Sequence, residues 1–419
     1  MSTPLSRIVE VNPSVPEFLD NPDAEVTFMP LETVWPDGRA DTSRRAVASV
    51  VAAGYTQFRD GDVLLPKITP TFEAGRVLAV SLETPVGAGT TELHVLRPKV
   101  GVDARFVAYL CRSQEFLQEG AARLQGVGNL RRVPKDFIEK FPVTITNFDE
   151  QKAIADYLDR ETAQIDTLIT EQRRLVGMLR ERRFAVRTWL ATSGVGAAAE
   201  TRASGLFWAG DVPAHWKVVP LTSVASLESG HTPSRSRTEL WENCYIPWIS
   251  LNDVGYLSAH EYISETTNLI SDAGIAASSA RLLPAGTVVL SRDATVGRSG
   301  IMAVPMATSQ HFADWVCTPD LEPRYLWLLF TSAMQPYFDS FTNGSTLRTI
   351  GMGHLKAFRV PLPPVEEQRE IVEAAARQTS RIDTLIAESE RLIELSLERR
   401  SALITSAVTG QIDLRGEAA

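Results

Sequence analysis

The chain has 419 residues, 44% of them apolar and 22% charged, enough to bury cores in about two to four domains. A formal charge of −9 excludes a uniformly basic surface of the kind that coats nucleic acid, because phosphate contacts need Lys and Arg. Cys111, Cys244 and Cys317 lie far apart with no second Cys or His at ligand spacing, so no zinc site is expected. So few cysteines suit a reducing cytoplasm, which is the expected location. The opening MSTPLSRIVEVNP lacks the pattern of a signal peptide, and no apolar run is long enough to span a membrane.

In chain order the pattern predicts a first globular domain over 1–147, a long helix over 148–196, a second domain over 197–364, a second long helix over 365–410 and a tail over 411–419. In the first domain, GDVLL (61–65) and GRVLAVSLET (75–84) read as short strands, and FVAYLCRSQEFL (106–117) reads as helical. In the second, TVVLS (287–291) reads as a strand and YLWLLFTSAMQPYF (325–338) as helical, which makes both domains α+β. Between these domains the register is weak but traceable. Lys67 aligns with Arg292, each just after a strand; Gly75 aligns with Gly300; Asn129–Val133 aligns with Thr346–Ile350.

The helices carry the strongest internal signal. Residues 150–188 match 367–405 at 18 of 39 positions, at an offset of 217 and without a gap. Ile154, Leu158, Ile165, Leu168 or its neighbour Ile169, Leu175 and Leu179 in the first copy, and Ile371, Ala375, Ile382, Leu385 or Ile386, and Leu392 or Ile393 in the second, step by threes, fours and sevens as a pairing seam does, with Leu168, Leu385 and Leu392 taken as the pairing members. Asn147, three residues before Glu150, looks like a helix cap, and Pro363-Pro364 precede Glu366 and Glu367 in the same way. About 40 residues at the helical rise give roughly 60 Å, too long to bury a seam alone, so the two copies are expected to pack on each other. Acid collects in the last segment: residues 366–419 hold eleven acidic and seven basic side chains, a net −4. Arg123 to Lys140 is locally basic, with five basic and two acidic residues.

The order of motifs resembles the specificity subunit of a type I restriction-modification system over nearly the whole chain. In the second domain the resemblance rests on AHWKVVPL around Trp216, GHTPSR (230–235), Trp241, IPWISLNDV (246–254) and LLPAGTVVLSRDATVGRSG (282–300). It continues through TSQHF (308–312) and TNGSTLRTI (342–350) to PLPPVEEQREI (361–371). In the first domain it rests on FRDGDVLLPKITPTFEAGR (58–76), TTELHVLRP (90–98) and LRRVPKDF (130–137). The resemblance implies two target recognition domains, each reading half of an asymmetric bipartite site on double-stranded DNA. It implies helices paired as an antiparallel coiled coil with internal pseudo-two-fold symmetry, which fixes the gap between half-sites. A rigid spacer suits this task, since two readers must meet the duplex about whole turns apart. The implied partners are two methyltransferase subunits and translocase/nuclease subunits; S-adenosylmethionine would bind the methyltransferase and not this chain.

Candidate DNA contacts are basic, amide and hydroxyl residues in the loops. In the first domain they are Lys67, Thr69, Thr91, Asn129, Arg131 and Arg132. In the second they are His231, Thr232, Ser234, Arg235, Arg237, Arg292, Thr295, Gln310, Asn343, Ser345, Thr346 and Arg348. Arg and Lys suit guanine edges or phosphates, and Asn and Gln suit adenine edges. Arg131 and Arg348 stand out because their register is kept between copies, although an Arg so near a helix start can also form a structural ion pair.

No catalytic pattern is found. There is no Walker A sequence and no HExxH; Asn12-Pro13-Ser14-Val15 lacks the second Pro and the aromatic of an amino-methyltransferase motif. Asp293 and Glu265 belong to no nuclease-like cluster. The expectation is therefore a non-catalytic adaptor. The alternatives are a coiled-coil scaffold without DNA contacts, the specificity module of another methyltransferase system, and a fused enzyme with its own site.

Overall fold

The computed structural model describes residues 2–35, 38–128, 130–196, 200–341 and 349–412. They form two compact units, Met1–Leu175 with Ser389–Ala419, and Val176–Glu388. Each unit takes an α+β domain and a stretch of both long helices, Phe148–Ser193 and Val365–Val408.

In the first unit, Val9–Val11, Leu93–Pro98, Val63–Pro66 and Leu78–Ala79 form a four-stranded antiparallel sheet. A second four-stranded sheet joins Arg45–Val47, Glu25–Met29, Val86–Gly89 and Thr56–Arg59, with one parallel pair in its middle. Helix Ala104–Arg112 starts at Asp103, whose carboxylate accepts the amides of Arg105 and Phe106, and buries six consecutive residues against the first sheet. In the second unit, Ala225–Glu228, Phe312–Cys317, Val288–Ser291, Ser299–Met302 and Tyr262–Ile263 make five strands, and Asn268–Ile270, Ile246–Ile249 and Ala307–Thr308 make three. Its core is built on the fully buried Trp216, Trp315, Tyr325 and Phe330.

The two units share one plan. Pro4 opposes Pro142 as Pro220 opposes Arg359; Val9 opposes Pro98 as Ala225 opposes Cys317; Val63 opposes Leu96 as Val288 opposes Trp315. One expected pair is corrected. Val63 opposes Ala79 while Val288 opposes Ile301, so Gly300 corresponds to Leu78 and not to Gly75. Gly75 instead turns the chain at φ +64°, and most of 75–84 is loop around the two-residue strand Leu78–Ala79.

The helix partners run antiparallel within each unit. In the first, Ile154 and Leu158 share a core with Ile404, Ala407 and Val408, while Asp166 meets Arg400 at 3.0 Å. In the second, Arg183 meets Asp383 at 2.7 Å, while Leu190 and Ala191 share a core with Ile371, Val372, Ala374 and Ala375. Asp383 is the repeat counterpart of Asp166, and Arg400 that of Arg183, so the same ion pair is made twice. The inward positions Ala155, Leu158, Thr162, Ile165 and Ile169, and their counterparts Val372, Ala375, Thr379, Ile382 and Ile386, alternate steps of three and four.

The expected seam needs a change of phase. Ile154, Leu158, Ile165, Ile371 and Ile382 are buried, but Leu168, Leu175, Leu385 and Leu392 are 36–47% exposed. The seam passes through the neighbours Ile169, Val176, Ile386 and Ile393 instead, which are buried or half-buried. A residue one position earlier points about 100° away around the helix.

Each helix start is fastened to its domain by a buried glutamine that the sequence reading did not single out. Asn147 Oδ1 caps the Glu150 amide at 2.9 Å. One turn in, Gln151 Oε1 accepts the Asp103 amide at 3.0 Å and its Nε2 donates to the Thr146 carbonyl at 2.8 Å. Gln368 does the same, accepting the Glu322 amide at 2.8 Å and donating to the Pro363 and Asp320 carbonyls, both at 2.9 Å.

Candidate nucleic-acid interface

Among the described residues, Lys67, Thr69, Thr91, Arg131 and Arg132 in the first unit and Arg292 and Gln310 in the second lie where three loops meet at the end of one strand, and this junction is built the same way in both units. In the first, Lys67 follows the strand Val63–Pro66; its amide donates to the Glu92 carbonyl at 2.9 Å, and its carbonyl accepts the Val133 amide at 2.8 Å. In the second, Arg292 follows Val288–Ser291; its amide donates to the His311 carbonyl at 3.0 Å, and its carbonyl accepts the Ile350 amide at 2.8 Å. The next residues form matching antiparallel bridges, Ile68 to Arg132 and Asp293 to Thr349. The alignments of Lys67 with Arg292 and of Val133 with Ile350 are therefore real structural equivalences.

The side chains on this common frame differ. In the first unit Glu92 accepts two hydrogen bonds from Arg132, from Nε at 2.8 Å and Nη2 at 2.7 Å, and Nη1 donates to the Leu130 carbonyl at 3.2 Å. Hydrogen bonding from Arg132 holds the Glu92 carboxyl below its ordinary range. Arg132 thus combines an ion pair with a 46% exposed side chain. The Arg131 carbonyl accepts the Thr69 amide at 2.9 Å and the Thr69 hydroxyl at 3.3 Å, while the Arg131 side chain is exposed. Thr69 is itself buried, so it braces the loop from beneath; Thr91 is exposed in the adjoining turn. Below them lies buried His94, with Nε2 donating to the Val133 carbonyl at 3.0 Å and Nδ1 accepting from Asn12 Nδ2 at 3.1 Å. Burial lowers its pKa below the ordinary histidine value, consistent with that neutral tautomer. Asn12, at φ +55°, also accepts the Val95 amide, so it serves this bracing.

In the second unit the loops form a chain of polar contacts. Thr232 Oγ1 donates to Gln310 Oε1 at 2.6 Å, and Gln310 Nε2 lies 3.4 Å from His311 Nε2. His311 Nδ1 donates to Asp293 Oδ2 at 3.0 Å, and Thr349 Oγ1 donates to Asp293 Oδ1 at 2.6 Å. Desolvation works to raise the Asp293 pKa, but the Thr349 and His311 hydrogen bonds prevail and hold it below the ordinary value. Arg292 is half-buried, with its Nε unpartnered among the described residues, and Thr295 is exposed beyond it. The GHTPSR segment lies against TSQHF because Gly230 has no side chain; a Cβ there would fall 1.7 Å from the Thr308 carbonyl oxygen. That carbonyl accepts the His231 amide at 3.1 Å.

The structure brings Thr232, Gln310 and Arg292 together, with His231 and Thr295 alongside. Ser234 hydrogen-bonds Ser236 at 2.9 Å, Arg237 pairs with Glu239 at 2.8 Å, and Arg235 is exposed on the same loop. Asn129, Asn343, Ser345, Thr346 and Arg348 lie outside the described residues. Glu92, Asp293, His311 and Thr349 were missed. His311 and Asp293 stood inside quoted motifs, and Thr349 is the counterpart of Arg132, so the signal was present.

A cleft of about 920 Å³ lies elsewhere in the first unit, between Ala104–Arg112 and the long helix, lined by Arg105, Tyr109, Asp159, Asp166 and Arg400 among others. Its charges are engaged in fastening the helix, with Arg105 bound to Asp103, Asp156 and Asp159. Among the described residues no group of three or more His, Cys, Asp or Glu side chains could hold a metal, and no helix is long and apolar enough to cross a membrane.

Fold and loops together define a duplicated loop-presenting module, one α+β frame used twice, each fastened to long paired helices. Residues 213–394 match the type I restriction modification DNA specificity domain. The chain is 33% identical over 192 residues to the type I restriction enzyme EcoEI specificity subunit of Escherichia coli, covering 45% of this chain and 31% of that one. To the MjaIX specificity subunit of Methanocaldococcus jannaschii it is 29% identical over 190 residues, 45% of this chain and 44% of that one. These matches span less than half the length of either relative. A solved chain from a type I R-M system shares the fold over 98% of both chains, at TM-score 0.74 and 18% identity. Residues 213–394 therefore carry a type I restriction modification DNA specificity domain, and the chain as a whole shares the fold of that solved chain.

Proposed function

We propose that this chain is the DNA-binding specificity subunit of a type I restriction-modification complex. Each unit reads one half of an asymmetric, two-part site through the loops around Lys67 and Arg292. The observation that carries this reading is one backbone junction, built twice, with different side chains on it. A coiled-coil scaffold would have no use for that difference. The family match supports the reading independently over the second unit's loops.

The paired helices set the gap between half-sites and dock two methyltransferase subunits, and translocase/nuclease subunits join the same assembly in the cytoplasm. S-adenosylmethionine is held by the methyltransferase, and this chain is a non-catalytic partner. The test is methylation mapping of cells that express the cognate methyltransferase with and without this chain. A two-part motif with a fixed gap, present only with the chain, is the expected result. Methylation that does not depend on the chain refutes its specificity role.

A further inference from the structure

Two sets of three positions are equivalent by backbone geometry: Lys67, Glu92 and Arg132 in the first unit, and Arg292, His311 and Thr349 in the second. One position keeps its chemistry and two change it. Lys67 and Arg292 are both cations at a strand end. Glu92 is replaced by an imidazole and Arg132 by a hydroxyl.

We propose that the changed pairs, Glu92–Arg132 and His311–Thr349, are the base selectors of the two half-sites, and that Lys67 and Arg292 make the phosphate contact common to both. The proposal rests on the reading of the chain as a DNA-specificity subunit. Its logic is that a contact to phosphate carries no sequence information and can be the same in both readers, whereas a contact to a base edge must differ if the half-sites differ.

The geometry gives each pair a distinct chemistry. Glu92 fixes the Arg132 guanidinium through Nε and Nη2, and the Leu130 carbonyl takes one donor of Nη1. Of the five N–H donors that Arg carries, these contacts leave some at the guanidinium tip, where they match guanine O6 and N7. The first unit therefore selects a G·C pair at this position. In the second unit Asp293 takes the Nδ1 proton of His311 and the Thr349 hydroxyl proton. The imidazole Nε2 is then an acceptor, 3.4 Å from the Gln310 amide nitrogen, and the pair cannot present the same forked donors. Asp293 acts through His311 and Thr349 and is a positioning residue.

The experiment is methylation mapping with Glu92→Gln and His311→Gln in the full chain, each co-expressed with the methyltransferase, and thermal unfolding of the purified proteins as a check on folding. Glu92→Gln should relax one G·C position in one half-site. His311→Gln should alter one position in the other half-site, and neither should change the gap. Arg132→Lys, which cannot form the fork, gives the first-unit result a second route if Glu92→Gln folds poorly. Lys67→Met and Arg292→Met should leave the motif unchanged and lower the salt dependence of DNA affinity by about one phosphate each. Wild-type motifs retained in both selector variants, or a single variant changing both half-sites, overturns the assignment while leaving the DNA-specificity reading intact. No chain-dependent motif with the wild type removes that reading and the assignment with it.

Discussion

Gln368→Met tests whether the buried glutamine fastens the second long helix to its domain. Met keeps the side-chain length and removes both polar groups, so little cavity is created. Three backbone partners lose their hydrogen bond: the half-buried Glu322 amide, the buried Pro363 carbonyl and the Asp320 carbonyl. At about 1 kcal/mol per bond, and more for a group left without water, the loss is about 3 kcal/mol. With a urea slope of about 2 kcal/mol per molar, the midpoint falls by about 1.5 M. Tryptophan fluorescence reports this unit almost alone, because seven of the eight tryptophans lie in Val176–Glu388 and Trp35 is the exception. Gln151→Met removes two bonds in the other unit and should cost about 2 kcal/mol, read as faster hydrogen exchange in a peptide starting at Asp103. A midpoint shift below about 0.3 M for Gln368→Met would mean that the glutamine holds nothing that water cannot, and the fastening argument would fail.

Ile165→Asp and Ile382→Asp should each destabilise by about 3 kcal/mol or more, since they place a charge in the helix seam, whereas Leu168→Asp and Leu385→Asp should cost under about 1 kcal/mol; thermal melts followed at 222 nm compare them. The pair made by Asp166 and Arg400 should show a coupling of about 1 kcal/mol in a double-mutant cycle with Asp166→Asn and Arg400→Gln, and zero coupling would remove it from the helix-pairing account. Asp314 is fully buried, and desolvation raises its pKa to about 8. In the folded state it holds its proton where the unfolded chain has lost it, so stability should fall as pH rises from about 4 to 8, by at most about 1.4 kcal/mol per unit, and level off above. Asp314→Asn should flatten that slope in urea titrations at several pH values, and an unchanged slope would show that another group causes it. Gly230→Ala, which drives a Cβ into the Thr308 carbonyl, should cost about 2–3 kcal/mol and disturb the second half-site selectively, as seen by melting and methylation mapping.

The helices were the most legible part of the sequence because they repeat without a gap and because heptad spacing has one interpretation. Their phase was not. Leu168-Ile169, Leu385-Ile386 and Leu392-Ile393 are apolar doublets, and either member satisfies a step of three or four. Only the opposing helix decides which one turns inward. The strand-end cations Lys67 and Arg292 were legible from GDVLLPK and GTVVLSR, since a strand followed by a loop leaves a mark in the sequence. The glutamines at 151 and 368 were visible as identities in the repeat, but nothing local says that a glutamine will be buried. Its partners are the amides of Asp103 and Glu322, nearly fifty residues away. The Glu92–Arg132 pair was hidden for the same reason: its two halves are neighbours only once Lys67 has joined their loops.

The residues kept between the helix copies can now be sorted by what each does. Gln151 and Gln368 fasten the helix to its domain, Ile165 and Ile382 fill the seam, and Asp166 and Asp383 each meet an arginine of the opposite copy. Every one of these contacts is made twice, so a change in one copy has to suit a partner that the other copy also specifies. The loop positions carry no such double constraint. The side chains of Glu92 and Arg132 pair with each other, and those of His311 and Thr349 with Asp293, within their own loops, so either set can be replaced without disturbing the backbone junction that holds it. A frame of this kind lets the reading surface of one unit change while the other unit and the helices remain as they are, which is what a subunit that addresses a two-part site requires.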